Sequence, residues 1–213
     1  HQPLIGKVRG IVLHTAVGSL ISTDGYFEHG NGEGYIGTES HFIVGGYGEI
    51  WQITDTSRTA DANLEGNSTL LSIETADSYA PFGKWSGSDV PAWTQAQVES
   101  LARVCAWAAN LYGFPLERMR DSKPTTRGVG YHRLGIDPWR ISGGESWTTS
   151  PGKVCPGDRR IAQVDDVIAL AKQGSKPPYP QFRETSPAVG AMVEKLSANG
   201  YFAGKRRDKA NYY

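Results

Sequence analysis

The chain has 213 residues, 22 basic against 22 acidic, and a formal net charge of zero, so no overall charge draws it to nucleic acid or to an anionic membrane surface. Its length suits one domain of substantial core plus an appendage. No apolar run approaches the roughly 18 residues needed to span a bilayer, and the start, His1-Gln2-Pro3-Leu4, lacks the form of a signal peptide, so any export signal is expected outside this stretch.

Taken in order, the elements alternate between β and α patterns. Gly10 to Thr15 reads as a buried strand that ends at His14, because small and apolar residues run into a polar break. A short helix is expected around Ser22 to His29, followed by a loop through His29-Gly30-Asn31-Gly32-Glu33-Gly34. Ser40 to Val44 and Glu49 to Ile53 flank Gly45-Gly46-Tyr47-Gly48, the pattern of a hairpin. Thr69 to Thr75 is a further strand, with Glu74 inside an otherwise apolar run.

Thr94 to Tyr112 carries the strongest helical signal. Thr94 and Gln97 have the spacing of a capping box, and Val98, Leu101, Val104, Cys105, Ala108 and Leu111 repeat at helical intervals up to Gly113 and Pro115. Gly128 to His132 reads as a short strand, Arg133 to Gly152 as a loop, and Asp158 to Gln173 as a last helix with Ile161, Val164, Ile168 and Ala171 on its buried face. A first domain is therefore assigned to residues 1–174. The proline-rich stretch 175–185 is assigned as a linker, and residues 186–213 as a short helical extension. Val189, Met192, Val193, Leu196, Gly200, Tyr201, Phe202 and Gly204 are similar to the first part of small peptidoglycan-binding repeats, over too few residues for a whole module. The basic tail Lys205-Arg206-Arg207-Asp208-Lys209 reads as a solvated terminus.

Chemistry concentrates at distant points. His14, His132 and Cys155 together can give one zinc ion two imidazoles and a thiolate, leaving the fourth tetrahedral position for water, which is the ligand count of a catalytic site. Two cysteines are too few for the paired clusters of a structural zinc. Each assignment has a plain rival. A histidine after a strand can be structural, Cys155 can be an ordinary buried thiol, and Asp158 competes with Cys155 but stands where a carboxylate favours a helix N-terminus. Cys105 falls in the helical pattern and Cys155 in a Pro/Gly-flanked turn, so the two are expected to play different roles, with the Cys155 thiol lowered in pKa. Glu74 is costly to bury unless paired or used, and burial would raise its carboxyl toward the range of a general base. Its rival is a solvent-facing strand end.

The order His14, then Ser40-His41-Phe42-Ile43-Val44, Leu71-Ser72-Ile73-Glu74, Gly130-Tyr131-His132-Arg133 and Lys153-Val154-Cys155-Pro156-Gly157-Asp158 resembles the zinc-dependent N-acetylmuramoyl-L-alanine amidases. That group includes phage amidase-type lysozymes and peptidoglycan recognition proteins, and the match runs from about residue 8 to 173. The resemblance implies an α/β fold with a mixed central β-sheet flanked by helices and a zinc cleft on one face. It implies Zn²⁺ on His14, His132 and Cys155, with Glu74 as proton carrier and Lys153 as donor to the oxyanion. The implied partner is bacterial peptidoglycan, cut by a monomer that acts on the cell wall. His41 falls at a packed strand position, and Tyr131, Trp139 and Trp147 are expected to form the groove.

Two departures stand out: Ser40 replaces a tyrosine that some phage relatives carry, and Ala60-Asp61-Ala62-Asn63 replaces a Trp-His-Ala segment. Asp61 or Asn63 is then expected to line the cleft. Two other functions fit parts of the pattern. One is a non-catalytic peptidoglycan-binding protein on the same fold. The other is a cysteine peptidase using Cys155 and His132, disfavoured because Pro156 removes a backbone N–H that an oxyanion hole would use.

Overall fold

The computed structural model describes residues 7–29 and 39–174. By contact the chain divides into two units, His1–Ser175 and Lys176–Tyr213, and all described residues belong to the first. The loop expected through Gly30 to Gly34, the linker 175–185 and the extension 186–213 lie outside the described residues.

Five strands form one sheet: β1 (Gly10–Leu13), β2 (Phe42–Val44), β3 (Ile50–Gln52), β4 (Leu70–Thr75) and β5 (Gly128–Tyr131), in the order β3-β2-β4-β1-β5. β2 and β3 are the antiparallel hairpin, and the β2–β4, β4–β1 and β1–β5 pairs are parallel. The sheet is therefore mixed, with β1 in its interior.

Strand alternation divides the residues between two faces. Ile11, Leu13, Phe42, Val44, Leu71, Ile73 and Val129 point to one side, where they share a core with Val98, Leu101, Cys105 and Ala108 of α2 (Gln95–Tyr112). Val164, Val167, Ile168 and Ala171 of α4 (Val164–Lys172) complete that layer. The opposite face carries Val12 and Leu70, packed with Met119 and Trp147. At Gly130 the sheet needs the missing side chain, since a Cβ there would come within 2.8 Å of the Met119 sulfur. The remaining helices are α1 (Leu20–His29) and the single-turn α3 (Asp158–Ala162).

α2 begins as its sequence requires. Thr94 accepts from the Gln97 N–H while the Gln97 side chain accepts from the Thr94 N–H, an arrangement worth about 1 kcal/mol at a helix N-terminus. Gly113, at φ 69°, closes it in the left-handed region. Leu111, expected on the buried face, is exposed. The packed stripe drifts past it, and Tyr112 meets the core instead.

The last helix is also not continuous. It breaks at Gln163, whose side chain accepts from the Trp93 N–H and donates to the Trp93 carbonyl. Shifting the frame there turns Ile161 to a half-buried position and places Arg160 fully inside. Among the described residues no helix is long and apolar enough to cross a membrane.

Candidate metal centre

The last paired row across the three parallel strands is Ile73–Leu13–Tyr131. One residue further along each strand stand Glu74, His14 and His132. Because alternation has returned all three to the face opposite α2, their side chains converge at the carboxyl ends of β4, β1 and β5, the usual place for a site on parallel strands. Cys155 arrives from the loop before α3, which Arg133 anchors with hydrogen bonds of 3.2 and 2.5 Å to the Val154 carbonyl and an ion pair to Asp158.

One ligand atom from each of His14, His132 and Cys155 lies within 4.8 Å of the others. The imidazole centroids are 4.3 Å apart. All three residues are buried.

Outer contacts determine which ring nitrogens are free. Nε2 of His14 is 3.0 Å from Oδ1 of Asn63, an acceptor, so Nε2 carries the proton and Nδ1 is left with a lone pair. Nε2 of His132 likewise donates to the Trp147 carbonyl at 2.9 Å, and its buried Nδ1 has no partner among the described residues. An orphaned buried imidazole nitrogen is costly in a dry site and is what a metal-ligating histidine looks like before the ion is added. The Cys155 sulfur accepts the Thr15 N–H at 3.3 Å. Two neutral imidazoles and a thiol at this spacing fit a zinc ion by ligand type and number.

Electrostatics agree with neutral imidazoles. Burial pushes His132 down to about 4 and His14 well below its ordinary value, with the Lys153 charge acting in the same direction on both. The Cys155 thiol runs against its expected lowering: burial and then the neighbouring Glu74 push it up to about 12. No cation sits within hydrogen-bond reach of the sulfur among the described residues, so a metal bound here would have to displace the thiol proton.

Glu74 is nearly buried, with Oε1 3.7 Å from Nδ1 of His14 and Oε2 without a partner among the described residues. Burial lifts its carboxyl to about 7, opposed by the charges of Lys153 and Arg160. Lys153 itself is exposed, and its charge acts on His14, His132, Glu74 and Cys155.

The competing residues lie elsewhere. The Asp158 carboxylate is 86% exposed and paired with Arg133. His41 is in the core, where Nδ1 accepts the Ser72 N–H at 3.1 Å and Nε2 donates to the Arg58 carbonyl at 2.9 Å. His29 is exposed beside Glu28, and Cys105 is a free thiol inside α2, away from Cys155. Asp61 is exposed and accepts from Asn67.

The aromatic groove expected of Tyr131, Trp139 and Trp147 does not form. Tyr131 packs on the α2/α4 side, Trp147 is in the core, and only Trp139 is exposed. Trp147 instead serves the site from below. Its carbonyl holds His132, its indole N–H donates to Glu145 at 3.0 Å, and Glu145 pairs with the buried Arg9. The indole needs Gly135, where a Cβ would fall 2.3 Å from its Cγ. An open groove of about 770 Å³, lined by Leu64, Glu65, Asn67, Asp137, Thr148 and Pro151 among others, includes none of the His14, Glu74, His132 and Cys155 side chains.

A mixed sheet packed against α2 and α4 brings His14, His132 and Cys155 close enough together that they could hold a metal ion. The chain matches the N-acetylmuramoyl-L-alanine amidase family over residues 5–158 and belongs to it; it is an enzyme of that class. In fold it is similar to the N-acetylmuramoyl-L-alanine amidase LysC from Clostridium intestinale (14% identity, TM-score 0.51, covering 79% of this chain and 93% of that one). It is similar also to the hydrolase AmiA of Staphylococcus aureus (16% identity, TM-score 0.55, 82% and 79% covered). The Apis mellifera peptidoglycan recognition protein PGRP-SA shares the fold as well (12% identity, TM-score 0.51, 78% and 86% covered). No curated protein sequence matches the chain significantly.

Proposed function

We propose that the protein hydrolyses the amide between N-acetylmuramic acid and L-alanine of bacterial peptidoglycan in a zinc-dependent reaction. The observation that carries this reading is the meeting of the His14, His132 and Cys155 ligand atoms within 4.8 Å beside the buried Glu74 carboxylate, whose Oε2 has no partner among the described residues. When bound there, zinc supplies Lewis-acid activation of water and of the scissile carbonyl.

The protein's own groups carry the protons. Glu74, held near neutrality by burial, accepts a proton from the attacking water as its oxygen adds to the carbonyl carbon. It then delivers that proton to the departing L-alanine nitrogen. The Lys153 ammonium donates to the oxyanion, a contribution of roughly 3 to 4 kcal/mol for a well-placed donor. Asn63 and the Trp147 carbonyl keep the two imidazoles in the tautomer that offers Nδ1.

In this reading residues 1–174 form the catalytic domain, 175–185 a linker and 186–213 a short extension that contacts the wall. The protein acts as a monomer on the cell wall, as in bacteriolytic endolysins. A non-catalytic binder on the same fold has no use for Glu74 at about 7. A cysteine peptidase is opposed by a thiol pushed up to about 12 and by Pro156 next to it.

The test is digestion of purified cell walls and of a muramyl-peptide. Release of a peptide with a free L-alanine amine, lost on chelation and restored by zinc, is the expected result. Binding without cleavage, or cleavage indifferent to chelation, overturns it.

A further inference from the structure

Behind the centre lies a charge that the reaction above does not use. Arg160 is fully buried, yet none of its direct hydrogen-bond partners is a carboxylate. Nε donates to the Pro91 carbonyl at 2.8 Å and Nη2 to the Ala76 carbonyl at 3.0 Å. Nη1 reaches Thr15 Oγ1 at 2.8 Å, Thr75 Oγ1 at 2.5 Å and the Thr75 carbonyl at 3.2 Å. The guanidinium also lies 5.8 Å from the Phe82 ring centre and 5.9 Å from that of Trp93. A cation so far from water costs several kcal/mol to bury, and nothing about packing alone asks for one.

The two hydroxyls explain where its influence goes. Thr75 Oγ1 donates to the His14 carbonyl at 2.5 Å. Thr15 Oγ1 donates to the buried Asp77 at 2.7 Å, and the Thr15 N–H is the group that meets the Cys155 sulfur. One end of one guanidinium thus braces the backbone of β4 and of the turn after β1. Thr15 follows the proposed ligand His14 directly in the chain, while Thr75 follows Glu74 and reaches His14 through its carbonyl. The Asp77 carboxylate is reached through Thr15.

We propose that Arg160 is a positioning residue of the metal centre, fixing the separation of His14 from Cys155 through Thr75 and Thr15. This rests on the metal-centre reading above. The guanidinium's planar fork is essential, because an ammonium cannot serve both hydroxyls and three carbonyls at fixed angles.

The experiment titrates full-length protein with cobalt(II) and follows the thiolate-to-cobalt absorption band, with zinc affinity measured by competition. Arg160→Lys is compared with Thr15→Val and Thr75→Val, which each cut one brace and keep the guanidinium. Metal affinity is expected to fall roughly ten- to a hundredfold in Arg160→Lys and on the order of tenfold in each threonine variant, with the band shifted or weakened. A purely structural ion would lower the melting temperature and leave both readouts alone. Variants that bind cobalt with wild-type affinity and spectrum therefore overturn the assignment of Arg160. A wild-type protein that binds no cobalt overturns the metal-centre reading itself, and this inference with it.

Discussion

Oε1 of Glu74 lies 3.7 Å from Nδ1 of His14, on the side of the imidazole that Asn63 does not occupy. The carboxylate therefore faces the nitrogen available to a metal, within reach of a water bound there. Glu74→Gln preserves shape and removes the proton acceptor. Turnover is expected to drop roughly a hundredfold to ten-thousandfold while zinc content and melting temperature stay near wild type. Single-turnover kinetics with metal analysis on the same sample check this. Wild-type turnover in the variant would move the base elsewhere, with Lys153→Ala the next substitution.

The two cysteines divide cleanly. Cys155→Ser replaces a potential thiolate with a neutral hydroxyl, a far poorer zinc ligand, and is expected to lose both metal and hydrolysis. Cys105→Ser places a hydroxyl in the core beneath α2 and is expected to cost about 1 to 3 kcal/mol of stability with metal retained. Denaturant melts and zinc analysis on the pair are sufficient. Metal loss in Cys105→Ser would reverse the division.

Asn63 is the only described side chain other than Glu74 that touches the His14 ring by hydrogen bond or ion pair. Asn63→Ala frees the ring to turn and to adopt the other tautomer, and metal affinity is expected to fall roughly ten- to a hundredfold. Competition with a chromogenic chelator measures it. Unchanged affinity would mean that packing against His132 alone orients the ring.

His41 sets a pH dependence separate from the metal. Its Nδ1 accepts the Ser72 N–H, so protonation there breaks a buried hydrogen bond, and burial holds the group down at about 4. The unfolded chain takes up this proton near pH 6.5 and the native protein only near 4. Stability from this residue is thus complete above about pH 6.5, falls as pH drops through the window to 4, and is flat below it, by on the order of 3 kcal/mol. Urea unfolding of wild type against His41→Gln between pH 4 and 7.5 isolates the slope. Parallel pH profiles would remove His41 as its source.

Much of this arrangement is legible in the residues alone. β1, β4 and β5 are short apolar runs ending at His14, Glu74 and just before His132, and two-residue alternation is enough to put the three on one face. What stays hidden depends on contacts far apart in sequence. Arg160 occupies a helical pattern in which an arginine defaults to solvent, and its acceptors at Thr15, Thr75, Ala76 and Pro91 become visible only once the sheet is assembled. Trp147 sits among glycines and polar residues that read as an open loop, although Gly135 opposite it is the mark of a close approach. The Gln163 break is invisible for the same reason, since its cause is the backbone of Trp93.

The row shared by His14, Glu74 and His132 also decides where this protein can change length. A residue inserted or removed within β1, β4 or β5 would turn that strand's terminal side chain toward α2 and disable the site at one stroke. The connections between strands carry no such constraint of parity, because each strand enters its pairing independently of how far the chain has travelled to reach it. Loop grafts and insertions in segments such as 83–89, where residues are mostly exposed, should therefore be accommodated without turning any of the three strand ends.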